Sequence, residues 1–185
     1  MARTPSNMIP LGTQAPDFSL LDTVSEQMIT LTEVKGHQGT VILFICNHCP
    51  FVKHVNLQIA QLAREYQEKG IGFVAISSND AINYPQDAPH LMKQTAILEG
   101  YTFPYLYDET QKVARAYDAA CTPDFYVFNK DMALVYRGQL DDSRPGNGIP
   151  VTGSDLRQAL DALLQGTPIN KLQKPSIGCN IKWIQ

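Results

Sequence analysis

The sequence predicts an α/β fold, with a central mixed β-sheet flanked by helices. Three observations carry that prediction. Residues 41–45, VILFI, form a continuous apolar run rich in β-branched side chains, the pattern of a strand buried on both faces. Beyond Pro50 the apolar spacing changes to three and four: Val52, Val55, Ile59, Leu62 and Tyr66 draw one stripe along a helix. IGFVAIS at residues 71–77 reads as a second buried strand after a stop at Gly70, so a βαβ unit with a right-handed crossover is expected.

The remaining elements follow in chain order. Pro5, Pro10 and Pro16 keep the start out of helix, so residues 1–14 read as an extended lead-in. Residues 15–20, APDFSL, end in a short strand, and residues 28–34 alternate weakly. The core strand spans 41–46 and the first long helix 50–69. After a loop at 78–86, Asp87 reads as the cap of a helix reaching Glu99, broken by Gly100. Residues 103–107, FPYLY, carry a proline and so suggest an edge strand. A short helix is expected over 109–117. Residues 125–128 and 133–136, joined by Asn129-Lys130-Asp131-Met132, form an antiparallel hairpin by turn chemistry. A long Gly/Pro/Asp loop fills 138–153, a length that is usually functional or mobile. Ser154 is the expected N-cap of a last helix to Leu164, with Leu156, Leu160, Leu163 and Leu164 facing inward. The tail, 166–185, carries the only tryptophan, Trp183, and is expected to dock back on the domain.

Composition narrows the function. A chain of 185 residues suits a single domain over 1–185. Its net charge of −3 and scattered basic residues give no footprint for nucleic acid or a membrane surface. No apolar run approaches the roughly 18 residues that span a bilayer. MARTPSNMIPLG lacks the apolar core of a secretory signal, so a cytoplasmic location is expected. There, four cysteines are better read as reactive, metal-binding or packed than as a disulfide framework.

The chemistry concentrates where strand passes to helix. Pro50 suits the first helical position, where its missing N–H costs nothing, and Cys49 therefore falls at the exposed N-cap. Unpaired amides and the positive end of the helix dipole face a thiol there, which favours the nucleophilic thiolate. Cys46 lies three residues earlier, close enough to pair if the turn is tight. His48, next to the nucleophile, offers an imidazolium that would lower the thiol pKa further. Zinc also favours Cys-x-x-Cys, but Cys121 and Cys179 are isolated and supply no second pair, so no metal and no cofactor are expected.

The order βαβ, helix, hairpin, helix resembles the thioredoxin fold, and VILFICNHCPFV resembles that family's strand, active site and helix. APDFSL is similar to the N-terminal extension of the peroxiredoxin (AhpC/TSA) and TlpA/ResA-like branches. NHCPFV, DDSRPGNG and SIGCNIKW together resemble a peroxiredoxin-like thioredoxin-family group along nearly the whole chain. The resemblance implies that Cys49 is the nucleophile and that Cys121-Thr122-Pro123 is the cis-proline segment, with Thr122 and Pro123 binding substrate by strand addition. It also marks departures. Val52 stands at the family's second cysteine and Leu43 at its buried acid. The peroxiredoxin PxxxTxxC pattern meets Cys46 and Ile42 in its Thr and Pro slots.

The expected function is therefore thiol–disulfide oxidoreduction. Cys49 forms a mixed disulfide, which Cys46, Cys121, Cys179 or a free thiol resolves. The partners are protein or small-molecule disulfides and a thiol electron donor. Peroxide reduction is the alternative, with Cys49 oxidised to a sulfenic acid and Arg144 pairing with thiolate or peroxide oxygen; the bland reading of Arg144 is a salt bridge to Asp141 or Asp142. A non-catalytic binding module is a third reading. The oligomeric state is not legible.

Overall fold

The computed structural model describes residues 3–185, so the first two residues of the expected lead-in lie outside the described residues. A seven-stranded mixed sheet runs in the order β3-β2-β6-β5-β4-β8-β9. Its members are β2 (Ser19–Asp22), β3 (Met28–Thr30), β4 (Gly39–Phe44), β5 (Ile71–Ser77), β6 (Tyr105–Tyr107), β8 (Asp124–Asn129) and β9 (Leu134–Gly138). β4 pairs parallel with β5 on one side and antiparallel with β8 on the other. A smaller antiparallel sheet, β1-β10-β7, joins β1 (Arg3–Pro5), β10 (Ile177–Asn180) and β7 (Cys121–Thr122).

The apolar run of β4 is continuous because both faces of the sheet are covered. Val41, Leu43 and Ile45 share one cluster with Val52, Val55, Ile59 and Leu62 of α2 (Pro50–Gln67) and with Leu156 and Leu160 of α5 (Ser154–Gln165). Met92 of α3 (Pro89–Glu99) joins the same cluster. Ile42 and Phe44 face the other way. There they meet α1 (Leu31–Val34) and Tyr117, which follows α4 (Lys112–Ala116). Each fully buried aliphatic side chain of this kind contributes about 1.5–3 kcal/mol. The α2 stripe therefore fixes the start of that helix firmly against β4.

Several elements differ from the sequence expectation. Residues 105–107 form an interior strand between β5 and β2, not an edge. Pro104 lies just outside it, and its carbonyl still accepts from Ala75 N at 3.0 Å. The helix expected to start at Asp87 starts at Pro89 with Ala88 as its cap, because Asp87 ends a short 3-10 turn and is wholly buried. Gly153, at φ 70°, caps α5 in place of Ser154. That left-handed conformation suits glycine. The helix expected over 109–117 shortens to α4, which begins after Gln111 at φ 60°.

The tail returns to the domain. Ile181 is buried in the second cluster, Trp183 packs against it, and the Arg115 guanidinium lies 4.5 Å from the Trp183 ring. No helix among the described residues is long and apolar enough to cross a membrane.

Candidate active site

Three segments meet beyond the end of β4. The chain leaves the sheet at Phe44, Ile45 N still bonds Ile76 O, and Cys49 then stands at the N-cap of α2 with Pro50 behind it. The second segment is β7, followed by a cis Thr122–Pro123 bond and by β8, whose Asp124 pairs with Phe44. The third is β10, which lies antiparallel on β7 with Cys179 opposite Thr122.

The sulfurs gather there. Cys49 Sγ is 3.0 Å from Cys179 Sγ and 3.3 Å from the Thr122 carbonyl oxygen. Cys46 Sγ is 3.5 Å from Thr122 Oγ1. All four cysteines are buried. Cys49 itself has 0% exposure, which corrects the expected exposed helix start. The cover is β10, a segment 130 residues away in sequence that brings Cys179 onto Cys49. The packing is not purely hydrocarbon: two thiols and a carbonyl oxygen face the sulfur.

Those neighbours decide the ionisation. The hydrogen bond from Cys46 does most to bring the Cys49 thiol from 9.0 down to about 5. Burial opposes the shift, while the Cys179 thiol and the backbone amides of Val52 and Cys179 add to it. The helix-start amide of Val52 thus acts together with sulfur donors. Cys46 is pushed up, first because it donates to Cys49, then by burial and the Asp87 charge. Cys179 is pushed up to about 12, chiefly by burial and by its bond to Cys49. The negative charge is therefore favoured on Cys49 over Cys46 and Cys179. Alkylation of Cys49 in the reduced protein is expected to rise through a midpoint near pH 5, because the reactive anion forms above that pH. A midpoint near 9.0, the ordinary thiol value, would remove the activated nucleophile.

His48 does not turn to Cys49. Its Nδ1 lies 2.5 Å from Asp87 Oδ2, and its ring stacks on Tyr84 at 5.9 Å. A buried carboxylate is the stronger acceptor and claims the ring. Asp87 also accepts from Asn47 N at 2.9 Å, His48 N at 3.1 Å and Asn79 Nδ2 at 2.8 Å. Cys46 Sγ, a His48 ring nitrogen and an Asp87 oxygen lie within 4.8 Å of one another. His48 and Asp87 are already satisfied by each other, so this trio needs no cation to complete it.

Cys121 and Arg144 make their hydrogen bonds to groups other than Cys49. The Cys121 sulfur contacts Pro123 O at 3.8 Å, and burial followed by the Asp124 charge raises its pKa. The Arg144 guanidinium donates to the carbonyls of Asp141 and Ser143 and to Gln139 Oε1, all in its own loop. It makes neither the expected pairing with Cys49 nor a salt bridge to an Asp141 or Asp142 carboxylate; Asp142 instead pairs with Lys174. Two participants escape the sequence reading. Asp87 looked like a helix cap, and Asn79 was one polar residue in a loop.

A mixed sheet flanked by helices, with a cysteine capping the helix after its central strand and a cis-proline turn beside it, defines a thioredoxin-fold protein. The chain belongs to the AhpC/TSA family, whose model matches residues 11–137. Over 125 residues it is 28% identical to the thiol-disulfide oxidoreductase ResA of Halalkalibacterium halodurans, covering 67% of this chain and 65% of that protein. The chain thus spans less than two thirds of the length of that curated relative. A conserved protein of Geobacillus kaustophilus, known by its crystal structure, superposes with a TM-score of 0.98 at 61% identity, over 100% of this chain and 97% of the other. A Chlorobium tepidum protein described as the thiol:disulfide interchange protein DsbE shares the fold, with a TM-score of 0.65 at 17% identity over 84% of this chain and 99% of its own.

Proposed function

We propose that the chain is a thiol–disulfide oxidoreductase with Cys49 as nucleophile and Cys179 as the resolving thiol. The supporting observation is the 3.0 Å separation of their sulfurs. The Cys49 thiolate attacks a substrate disulfide, forms a mixed disulfide and expels one substrate thiolate. That step removes the negative charge from Cys49. Two of the influences that hold Cys179 protonated, its bond to Cys49 and the Cys49 charge, then vanish, leaving burial alone. Cys179 gives its proton to the substrate thiolate released in the first step and attacks the Cys49 sulfur. The second substrate thiolate leaves, and a Cys49–Cys179 disulfide remains. Two equivalents of an external thiol donor reduce it and close the cycle.

Substrates in this reading are disulfides of proteins or small molecules. An extended polypeptide would pair along Thr122, the edge that β10 now occupies, so β10 has to yield before such a chain binds. Mild oxidation by a small disulfide, alkylation of the remaining thiols and peptide mass spectrometry test the assignment. The expected product is one bridge, Cys49–Cys179, with Cys46 and Cys121 alkylated after denaturation. A Cys46–Cys49 bridge as the main product would overturn the resolving role.

Peroxide reduction is the second reading, and the 0% exposure of Cys49 favours it, since a small oxidant needs the least opening. The thiolate would take the terminal oxygen of a hydroperoxide and release an alcohol or water. Cys179 would then condense with the sulfenic acid and release water. Comparing rates of Cys49 oxidation by hydrogen peroxide and by a disulfide substrate separates the two.

A further inference from the structure

We infer that Asp87 assigns the roles of the two thiols in the CNHC turn. From within 4.8 Å, its buried carboxylate holds Cys46 as a neutral hydrogen-bond donor and leaves the anion to Cys49. The inference rests on the reading of Cys49 as nucleophile and names the group that selects it.

The geometry carries the argument. Asp87 has no solvent exposure, so its charge acts on its neighbours with little screening. Two of its N–H donors are the backbone amides of Asn47 and His48, the residues between the cysteines. The carboxylate is therefore tied to the turn itself and cannot drift from Cys46. The His48 ring and the Asn79 amide fill Oδ2. A fixed negative charge beside one of two neighbouring thiols disfavours a second anion there. Cys46 then keeps its proton and offers it to Cys49, the first cause of the low Cys49 pKa. Without that charge Cys46 loses one of the influences that keep its proton in place, and the preference for the anion on Cys49 weakens.

The other groups around Cys46 do not supply this selection. Thr122 Oγ1 at 3.5 Å is neutral and lowers the Cys46 pKa. Tyr105 and Tyr101 are neutral phenols held well above their ordinary pKa by burial. Tyr105 OH donates to Asn47 Oδ1 at 3.1 Å. From the tail, Lys182 N donates to Asn79 Oδ1, while the Lys182 ammonium lies over Tyr84, 5.7 Å from the ring centroid. Asp87 is thus the carboxylate that faces Cys46, and it acts as a positioning residue rather than touching substrate.

The test is Asp87→Asn, which keeps the shape and removes the charge, read by the alkylation rate of each cysteine against pH. In the unmodified protein Cys49 reacts and Cys46 stays silent at neutral pH. In the variant Cys46 is expected to react about tenfold faster or more, while the Cys49 midpoint rises by about one unit or more. The opposite directions are diagnostic: simple loosening of the turn would speed both. Unchanged profiles, or both cysteines accelerated alike, would overturn the inference. His48→Ala guards against a folding failure, since His48 is partly exposed. It leaves the carboxylate without its ring donor, so the onset of Cys46 labelling is expected to move to higher pH; a move to lower pH would overturn the inference. Disulfide reduction by the unmodified protein is measured alongside. If that is absent the nucleophile reading fails, whereas a normal rate with unmoved variant profiles defeats only the role of Asp87.

Discussion

Cys49→Ser is expected to lower disulfide reduction by about 10^3-fold or more, because a hydroxyl offers no anion near neutral pH. The substitution is close in shape, and a serine hydroxyl can donate to the Thr122 carbonyl oxygen that lies 3.3 Å from the present sulfur, so the fold should survive. What goes is the acceptor around which the other thiols are arranged. Cys46 and Cys179 are both held protonated in part by bonds to the Cys49 sulfur. In the serine variant both lose that anionic partner and move down toward the ordinary thiol value, while burial still raises them, so neither is expected to reach the low pKa of Cys49. Insulin-disulfide reduction with a small dithiol donor measures the loss, and far-ultraviolet circular dichroism checks the fold. A rate comparable to the unmodified protein would take Cys49 out of the mechanism.

Gly178→Ala is expected to act on the same centre from the opposite strand. A methyl at Gly178 would stand 1.8 Å from the Thr122 carbonyl oxygen, 2.6 Å from its carbon and 3.2 Å from Pro123 N. These are backbone atoms, and β8, which follows them, is paired on both sides within the large sheet. β10 is therefore the partner that moves. The cost should be about 1–3 kcal/mol, as for other overpacked sites, read from denaturant unfolding. The functional consequence is larger. Cys179 is drawn off the nucleophile, and Cys49 becomes open to reagents, with alkylation about tenfold faster or more. The yield of the Cys49–Cys179 bridge should fall in parallel. Unchanged alkylation of Cys49 would mean that β10 is not what covers it.

The centre of the fold was legible because its signals are local. An apolar run, a change of period and a proline at the first helical position place β4, α2 and the Cys49 cap within a dozen residues. The rest depends on contacts that sequence spacing does not encode. Pro104 suggested an edge, yet it lies one residue outside β6, whose neighbours are set by long-range pairing. Asp87 stands before Ala88-Pro89 as a cap residue would, but its carboxylate turns to the CNHC turn nearly 40 positions away. Cys179 is one of three resolving candidates in the sequence, whose spacing does not show that β10 lies on β7 and brings this one beside Cys49. His48 adjoins the nucleophile in sequence and points elsewhere, since adjacency along the chain says nothing about which way a ring turns.

The small sheet that closes over Cys49 has a kinetic consequence. Ser176 N donates to Ser6 Oγ across 170 residues of sequence, and β1, β10 and β7 meet only when both ends of the chain are brought home. Contacts of such long range close late, after local helices and neighbouring strands have formed. For part of every refolding event the large sheet can therefore exist while the sulfur remains uncovered. Refolding yield should then depend on the ambient thiol-to-disulfide ratio, with mispaired adducts gathering at Cys49 before the lid strand arrives.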